Sequence, residues 1–179
     1  MHKHLKDILI THEQIVEESK LLGARISEDY KDQDQSLILV ALLKGSVPFL
    51  AELMKHISID IEIDFMDVSS YGMGTESTRD IRILKDLERS VQGRSIIIVE
   101  DIVDTGRTLE AVLKILKNKG ASTIDVVSLL DKPSRREVTV DVKYVGFEIP
   151  NEFVVGFGLD FAEKYRNLPY IGVMHEDYY

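Results

Sequence analysis

The stretch S-I-I-I-V-E-D-I-V-D-T-G-R-T-L, Ser95 to Leu109, changes character twice. Ser95–Val99 is an unbroken apolar run, as expected of a strand covered on both faces. Three carboxylates follow, Glu100, Asp101 and Asp104, and then Thr105-Gly106-Arg107-Thr108. From Leu109 to Lys119 the apolar residues fall at helical spacing, and Gly120 supplies a stop. Strand, turn and helix in this order make the unit from which a parallel sheet is built.

The same unit recurs on either side. Ser36–Leu43 and Thr123–Leu130 are two further apolar runs of strand length, and Val47 to about His56 reads as the helix after the first. Thr11-His-Glu-Gln14 has capping-box spacing and opens a helix with Ile15, Val16, Leu22 and Ile26 near one face. Ile59–Phe65 alternates strictly, which predicts a strand with one wet face. Ile81–Leu84 reads as a short returning strand, and shorter strands are predicted near Val142–Val145, Phe153–Val155 and Ile171–Val173. Buried strands alternating with helices give an α/β class with a mostly parallel central sheet. Between them, Ser69–Asp80 is polar, carries two glycines and has no periodicity, the pattern of a long mobile loop. No repeat, low-complexity segment or linker divides residues 1–179, so one domain is expected.

Composition excludes several functions. The net charge of −9 argues against general nucleic-acid binding, which draws its affinity from a cationic face. With no cysteine, the chain has no disulfide, no thiolate catalysis and no Cys-ligated zinc. No stretch approaches the run of about 20 apolar residues that spans a membrane. The opening M-H-K-H-L-K-D-I is too polar for a signal peptide, so a cytoplasmic location is the default. His2 and His4 are read as part of a frayed, solvated terminus rather than as a metal site.

The acidic turn is where chemistry is expected. In an open α/β sheet, ligands bind outside the carboxyl ends of the strands. A helix N-terminus there offers unpaired N–H groups and a partial positive charge to an anion. Gly106 permits a tight turn, and Thr105 and Thr108 add hydroxyls. A Walker loop is absent, and Gly72-Met-Gly74 is half of a dinucleotide fingerprint with no helix after it.

E-D-I-V-D-T-G-R-T resembles the phosphoribosyl diphosphate motif of the type I phosphoribosyltransferase family. The supporting stretches are L-K-G-S (Leu43–Ser46), D-F-M-D-V-S-S-Y (Asp64–Tyr71) and L-L-D-K-P (Leu129–Pro133), then F-V-V-G-F-G-L-D-F (Phe153–Phe161) and Y-R-N-L-P-Y (Tyr165–Tyr170). They are similar, in family order, to the bacterial branch that acts on the 6-oxopurines hypoxanthine and guanine.

The resemblance implies a mostly parallel sheet flanked by helices, a small hood, and a lid over about residues 69–80. It implies transfer of a 5-phosphoribosyl group from phosphoribosyl diphosphate to N9 of hypoxanthine or guanine, giving IMP or GMP and pyrophosphate. Thr105, Gly106, Arg107 and Thr108 would hold the 5′-phosphate, Glu100 and Asp101 the ribose hydroxyls, and Asp104 would act as general base near the purine N7. Arg107 stands where relatives often carry Lys. Lys132 would donate to the purine O6, which suits a keto oxygen and not the amino group of adenine. Without the family pattern, Lys132 reads as a solvated loop lysine, and Phe153 and Val154 as strand core.

Phe153 would stack on the base and the Val154 carbonyl would meet its N1 and 2-position. Arg166 would contact pyrophosphate, and Lys44 and Gly45 form the diphosphate turn, with a cis peptide there. Ser70 and Tyr71 would be lid contacts. Asp160, with Glu100 and Asp101, would serve Mg²⁺. The family also implies a homo-oligomer, a dimer or a tetramer, acting on small molecules with no nucleic-acid or membrane partner. The alternatives are a xanthine-preferring enzyme, a phosphoribosyl-diphosphate-sensing regulator and a non-catalytic nucleotide-binding module.

Overall fold

The computed structural model describes residues 1–70 and 81–179. The apolar runs become the centre of a six-stranded sheet in the order β4-β3-β2-β5-β6-β7. These strands are β2 (Leu37–Leu42), β3 (Ile61–Ser70), β4 (Ile81–Lys85), β5 (Ser95–Val103), β6 (Thr123–Asp131) and β7 (Tyr144–Glu148). All neighbours pair in parallel except β3 with the edge strand β4.

Every residue of β2 is buried, and the two-residue period of a strand sorts them onto two cores. Leu39 and Ala41, with Ile97 and Val99 of β5, pack against α1 (His12–Tyr30) and α2 (Val47–Leu53) through Ile15, Leu22, Ile26, Phe49 and Leu53. Ile38, Val40, Ile96 and Ile98 face the other way, onto Leu109, Val112 and Leu116 of α3 (Arg107–Asn118). Helix α1 starts where its capping box predicts. The Gln14 amide donates to Thr11 Oγ1 at 3.3 Å, and the Thr11 amide to Gln14 Oε1 at 2.8 Å.

Three expectations need correction. The N-terminus is not frayed: β1 (Leu5–Ile10) pairs with β9 (Ile171–Met174), which pairs with β8 (Val154–Val155), in a separate three-stranded antiparallel sheet. The His4 ring lies 2.8 Å from the Tyr165 hydroxyl and stacks on Tyr178. Strand β3 does not turn its polar residues to water. Asp64 is buried and accepts the Glu88 amide at 2.9 Å, whereas Ile63 is 48% exposed. The segment after β4 folds back over the polar side, and the alternation cannot register a cover that arrives from elsewhere in the chain. Finally, Ser69 and Ser70 end β3, in register with Arg82 and Ile81, rather than opening a loop. The rest of the expected lid, with Tyr71, lies outside the described residues.

Strand limits also move. The strand expected at Ile96–Val99 runs on to Val103, and the one expected near Val142 begins at Tyr144. In β5 the register with β6 is held through Glu100 and Ser128 to Val103 and Asp131. This extension carries two of the acids into the sheet.

Leu39, fully buried between β3 and β5, tests the central layer. Leu39→Ala is expected to lower unfolding free energy in urea by about 3 kcal/mol, and Thr11→Ala, which removes the α1 cap, by about 1 kcal/mol.

Candidate active site

The carboxyl end of β5 runs into a tight turn and then into α3. Gly106 is the residue before the helix and sits at φ 83°, a left-handed backbone that glycine accepts without strain. Gly106 has no side chain to cap the helix, which leaves first-turn amides without a capping partner from that residue. Thr105 Oγ1 accepts the Arg107 amide at 3.4 Å. A cavity of about 200 Å³ is lined here by Glu100, Asp101, Asp104, Thr105, Gly106 and Thr108. Apart from Arg107, the residues expected to hold a sugar phosphate thus share one concave surface.

The two acids inside the strand are electrostatically costly. Glu100 is buried, and burial together with the neighbouring Asp101 charge pushes its carboxyl well up from the ordinary range. Asp101 is raised from 3.8 to about 6, chiefly by burial, against the pull of its bond from the Ile102 amide and of Arg166. A cation or a set of hydroxyl donors at this point would relieve both.

Three other segments converge on these acids. The turn after β2 carries Lys44 and Gly45, and its cis bond is Leu43–Lys44, one residue earlier than expected. A Cβ on Gly45 would stand 1.6 Å from Asp101 Oδ2, so any side chain there would have to displace the carboxylate. A Cβ on Gly158 would stand 1.9 Å from the Gly45 carbonyl oxygen. The Phe153–Phe161 segment is therefore pressed against the turn that is pressed against the acids. Beyond it, Arg166 donates to Asp160 Oδ1 at 2.9 Å and to the Gly158 carbonyl at 2.8 Å. The Lys44 ammonium reaches Glu163 at 3.2 Å.

Lys132 is not a solvated loop lysine. It is buried, its amide donates to the Val103 carbonyl at 3.0 Å, and its Nζ donates to the Glu152 carbonyl at 2.6 Å. Burial lowers its pKa, and the nearby Asp104 charge pulls the other way. An ammonium has three donors, and this bond uses one. Phe153 and Val154 follow Glu152 directly, so the ammonium stands at the foot of that segment. The Phe153 ring stacks on Tyr179 at 4.6 Å and meets Phe161 edge-on. Val154 is buried in β8.

Two neighbours of Asp104 escaped the sequence reading. Arg135 Nε donates to Asp104 Oδ1 at 3.2 Å, and Arg136 Nη1 to the Asp104 carbonyl at 2.8 Å. The Arg-Arg pair three residues after Lys132 was the available signal. Arg107 turns away to Glu137. Ser70 ends β3, and Tyr71 is outside the described residues.

The donor set suits a hard cation. Among the described residues, no three His, Cys, Asp or Glu side chains form a protein-only cage. Mg²⁺ does not need one, because it keeps waters and takes one or two carboxylates beside substrate phosphates. Asp101 and Asp160 lie close enough for each charge to be felt by the other, and both offer only oxygen.

The comparisons agree with this geometry. The family described as the phosphoribosyl transferase domain matches residues 7–162. A hypoxanthine-guanine phosphoribosyltransferase of Streptococcus pyogenes is 50% identical over 179 residues, covering 100% of this chain and 98% of that protein. A crystal structure of a hypoxanthine phosphoribosyltransferase from Staphylococcus aureus superposes with a TM-score of 0.94 at 47% identity, covering 100% and 96% of the two chains. The Trypanosoma cruzi hypoxanthine phosphoribosyltransferase in complex with its product IMP gives 0.94 at 35% identity, covering 100% and 99%.

The raised acids have a pH consequence. Because the folded-state pKa of Asp101 lies above its ordinary value, its ionisation costs stability as pH rises from about 4 through about 6. Asp101→Asn is therefore expected to unfold a few degrees higher than the parent at pH 8, with the gain gone by pH 4, in scanning calorimetry. Lower stability of the variant at pH 8 but not at pH 4 would show that the charge itself holds the strand end.

Proposed function

This chain belongs to the phosphoribosyltransferase family, and on that premise we propose that it is a purine salvage enzyme. It transfers the 5-phosphoribosyl group of phosphoribosyl diphosphate to N9 of hypoxanthine or guanine, giving IMP or GMP and pyrophosphate. The observation that carries the choice of base is the buried Lys132, whose ammonium stands between Asp104 and the Glu152–Val154 segment with donors to spare. A keto oxygen is the group those donors suit, and the 6-amino group of adenine is not.

The roles are assigned from the family motif, and the geometry supports them where it brings these residues together. The amides of Thr105 to Thr108, with the two hydroxyls, hold the 5′-phosphate at the start of α3. Glu100 and Asp101 accept from the ribose hydroxyls, which supply the protons that buried carboxylates want. Asp104 stands at the junction of this cradle with the base, where it takes a proton from the purine or steadies the positive charge that builds there. The transition state resembles the oxocarbenium ion of glycoside chemistry, so neighbouring carboxylates stabilise it. Lys44, Gly45 and Arg166 bind the diphosphate, Phe153 stacks on the purine, and the Val154 carbonyl accepts from the 2-amino group of guanine. Ser70 and Tyr71 are assigned as lid contacts to the bound substrate. Mg²⁺, held by Asp160 with Glu100 and Asp101 nearby, would neutralise charge on the leaving diphosphate.

We read residues 1–179 as one phosphoribosyltransferase domain, cytoplasmic and working as a homo-oligomer, a dimer or a tetramer. No helix among the described residues is long and apolar enough to cross a membrane. Val47 on α2, Met54 directly after it, Ile63 on β3 and Leu84 on β4 are left exposed, which supports contact with another copy.

The test is direct. The protein is incubated with phosphoribosyl diphosphate, Mg²⁺ and, separately, hypoxanthine, guanine, xanthine, adenine and uracil. Nucleotide is expected with the first two; none with either would sink the proposal. Asp104→Ala is expected to lower kcat about 10²- to 10⁴-fold, the usual share of a general base, while binding of phosphoribosyl diphosphate changes little. Equal loss in both would make Asp104 structural.

A further inference from the structure

Phe161 and Lys164 close a tight turn, with the Phe161 amide donating to the Lys164 carbonyl at 3.2 Å and the Lys164 amide to the Phe161 carbonyl at 3.1 Å. The two residues between them, Ala162 and Glu163, have φ of 52° and 62°. Two consecutive left-handed residues are the mark of a turn that usually takes Asn-Gly. Here the turn carries an alanine and a glutamate, and Tyr165 follows at φ 76°. Non-glycine residues held in this region cost free energy, and such outliers cluster where function needs them.

The strained turn aims one side chain. Glu163 Oε2 lies 3.2 Å from Lys44 Nζ, and Oε1 lies 3.3 Å from Arg166 Nη2. One carboxylate thus spans two cations, Lys44 from a segment 119 residues earlier in the chain and Arg166 from its own. Its own amide donates to Asp160 Oδ2 at 2.8 Å. Lys44, through its hydrogen bond and charge, and then Arg166 hold the Glu163 carboxyl below the ordinary range, so it is ionised at neutral pH. A bridging pair of anionic oxygens on Lys44 and Arg166 is what a diphosphate would present to the same two groups.

We propose that Glu163 is a displaceable internal anion of the diphosphate subsite. It occupies Lys44 and Arg166 when no diphosphate is bound, gives them up to the incoming donor, and recaptures them as pyrophosphate leaves. Inorganic pyrophosphate and the diphosphate arm of the donor compete with it; the purine does not. The inference rests on the reading of Lys44 and Arg166 as diphosphate contacts.

Glu163→Gln keeps the shape and removes the charge. The variant is expected to bind Mg-pyrophosphate about 2- to 10-fold more tightly by titration calorimetry, the range of two exposed ion pairs. Its KM for phosphoribosyl diphosphate should fall in step, and its KM for hypoxanthine should stay where it was. Glu163→Asp, which retains charge but is too short to span both cations, should fall between the parent and the Gln variant. Unchanged or weaker pyrophosphate binding by Glu163→Gln would overturn the proposal, because the carboxylate would then be organising the cations and not competing for them. Lys44→Ala separates the two levels of inference. If it leaves pyrophosphate binding of the parent untouched, the diphosphate assignment itself has failed.

Discussion

Glu100 and Asp101 are neighbouring carboxylates at the end of a strand that is otherwise all core. Burying one such group without a partner is costly, and burying two side by side adds their repulsion. The architecture around them answers that constraint. Strand β5 is wedged between β2 and β6, so the backbone that carries the acids is fixed while their side chains line the cavity at its end. Gly45 lies so near the Asp101 carboxylate that any side chain would have to push it aside, and Gly158 lies against the Gly45 carbonyl. Three segments far apart in sequence thus meet at close range, with two missing Cβ atoms as the condition of contact. The site is assembled by what these positions lack as much as by what the charged residues bring.

An acidic chain that handles a polyanion needs its cations gathered and quiet. Around the mouth of the site each is matched to an acceptor of the chain itself: Lys44 to Glu163, Arg107 to Glu137, Arg135 to Asp104, Arg136 to Asp131, Arg166 to Asp160, and Lys132 to the Glu152 carbonyl. Most of these pairs are at least partly exposed, where an ion pair contributes little and is easily exchanged. Binding a phosphorylated ligand then becomes a change of partners rather than the capture of free charge. Strong net cationic character, which would attract nucleic acid, is not required.

What could be read from the residues was whatever is encoded over short distances. The buried strands, the capping box at Thr11, the stop at Gly120 and the strand–turn–helix unit around Gly106 all depend on local pattern, and each lies where that pattern puts it to within a few residues. The pattern fails where the cause is distant. Leu5–Ile10 is a strand because Ile171–Met174 meets it, and nothing near Leu5 says so. Asp64 is buried because residues after β4 cover it. Arg135 pairs with Asp104, and Glu163 with Lys44, each across at least one intervening helix and strand. Site residues carried by a family motif could be named one by one from the sequence; their mutual contacts could not.

The small sheet has a consequence for how the protein is made. Its central strand is Ile171–Met174, near the carboxyl end, flanked by residues 5–10 on one side and 154–155 on the other. The Met174 amide donates to the carbonyl of Phe153, so the segment proposed to face the purine is pinned by a strand that follows it in the chain. The turn proposed to hold the sugar phosphate takes its tertiary contacts earlier, from the Glu137 and Val138 amides on the Thr105 carbonyl. During synthesis, when chains fold from the amino-terminal side, that turn is braced before β9 has emerged. A chain cut before Ile171 would therefore carry the cradle without the strand that fixes the wall proposed for the base.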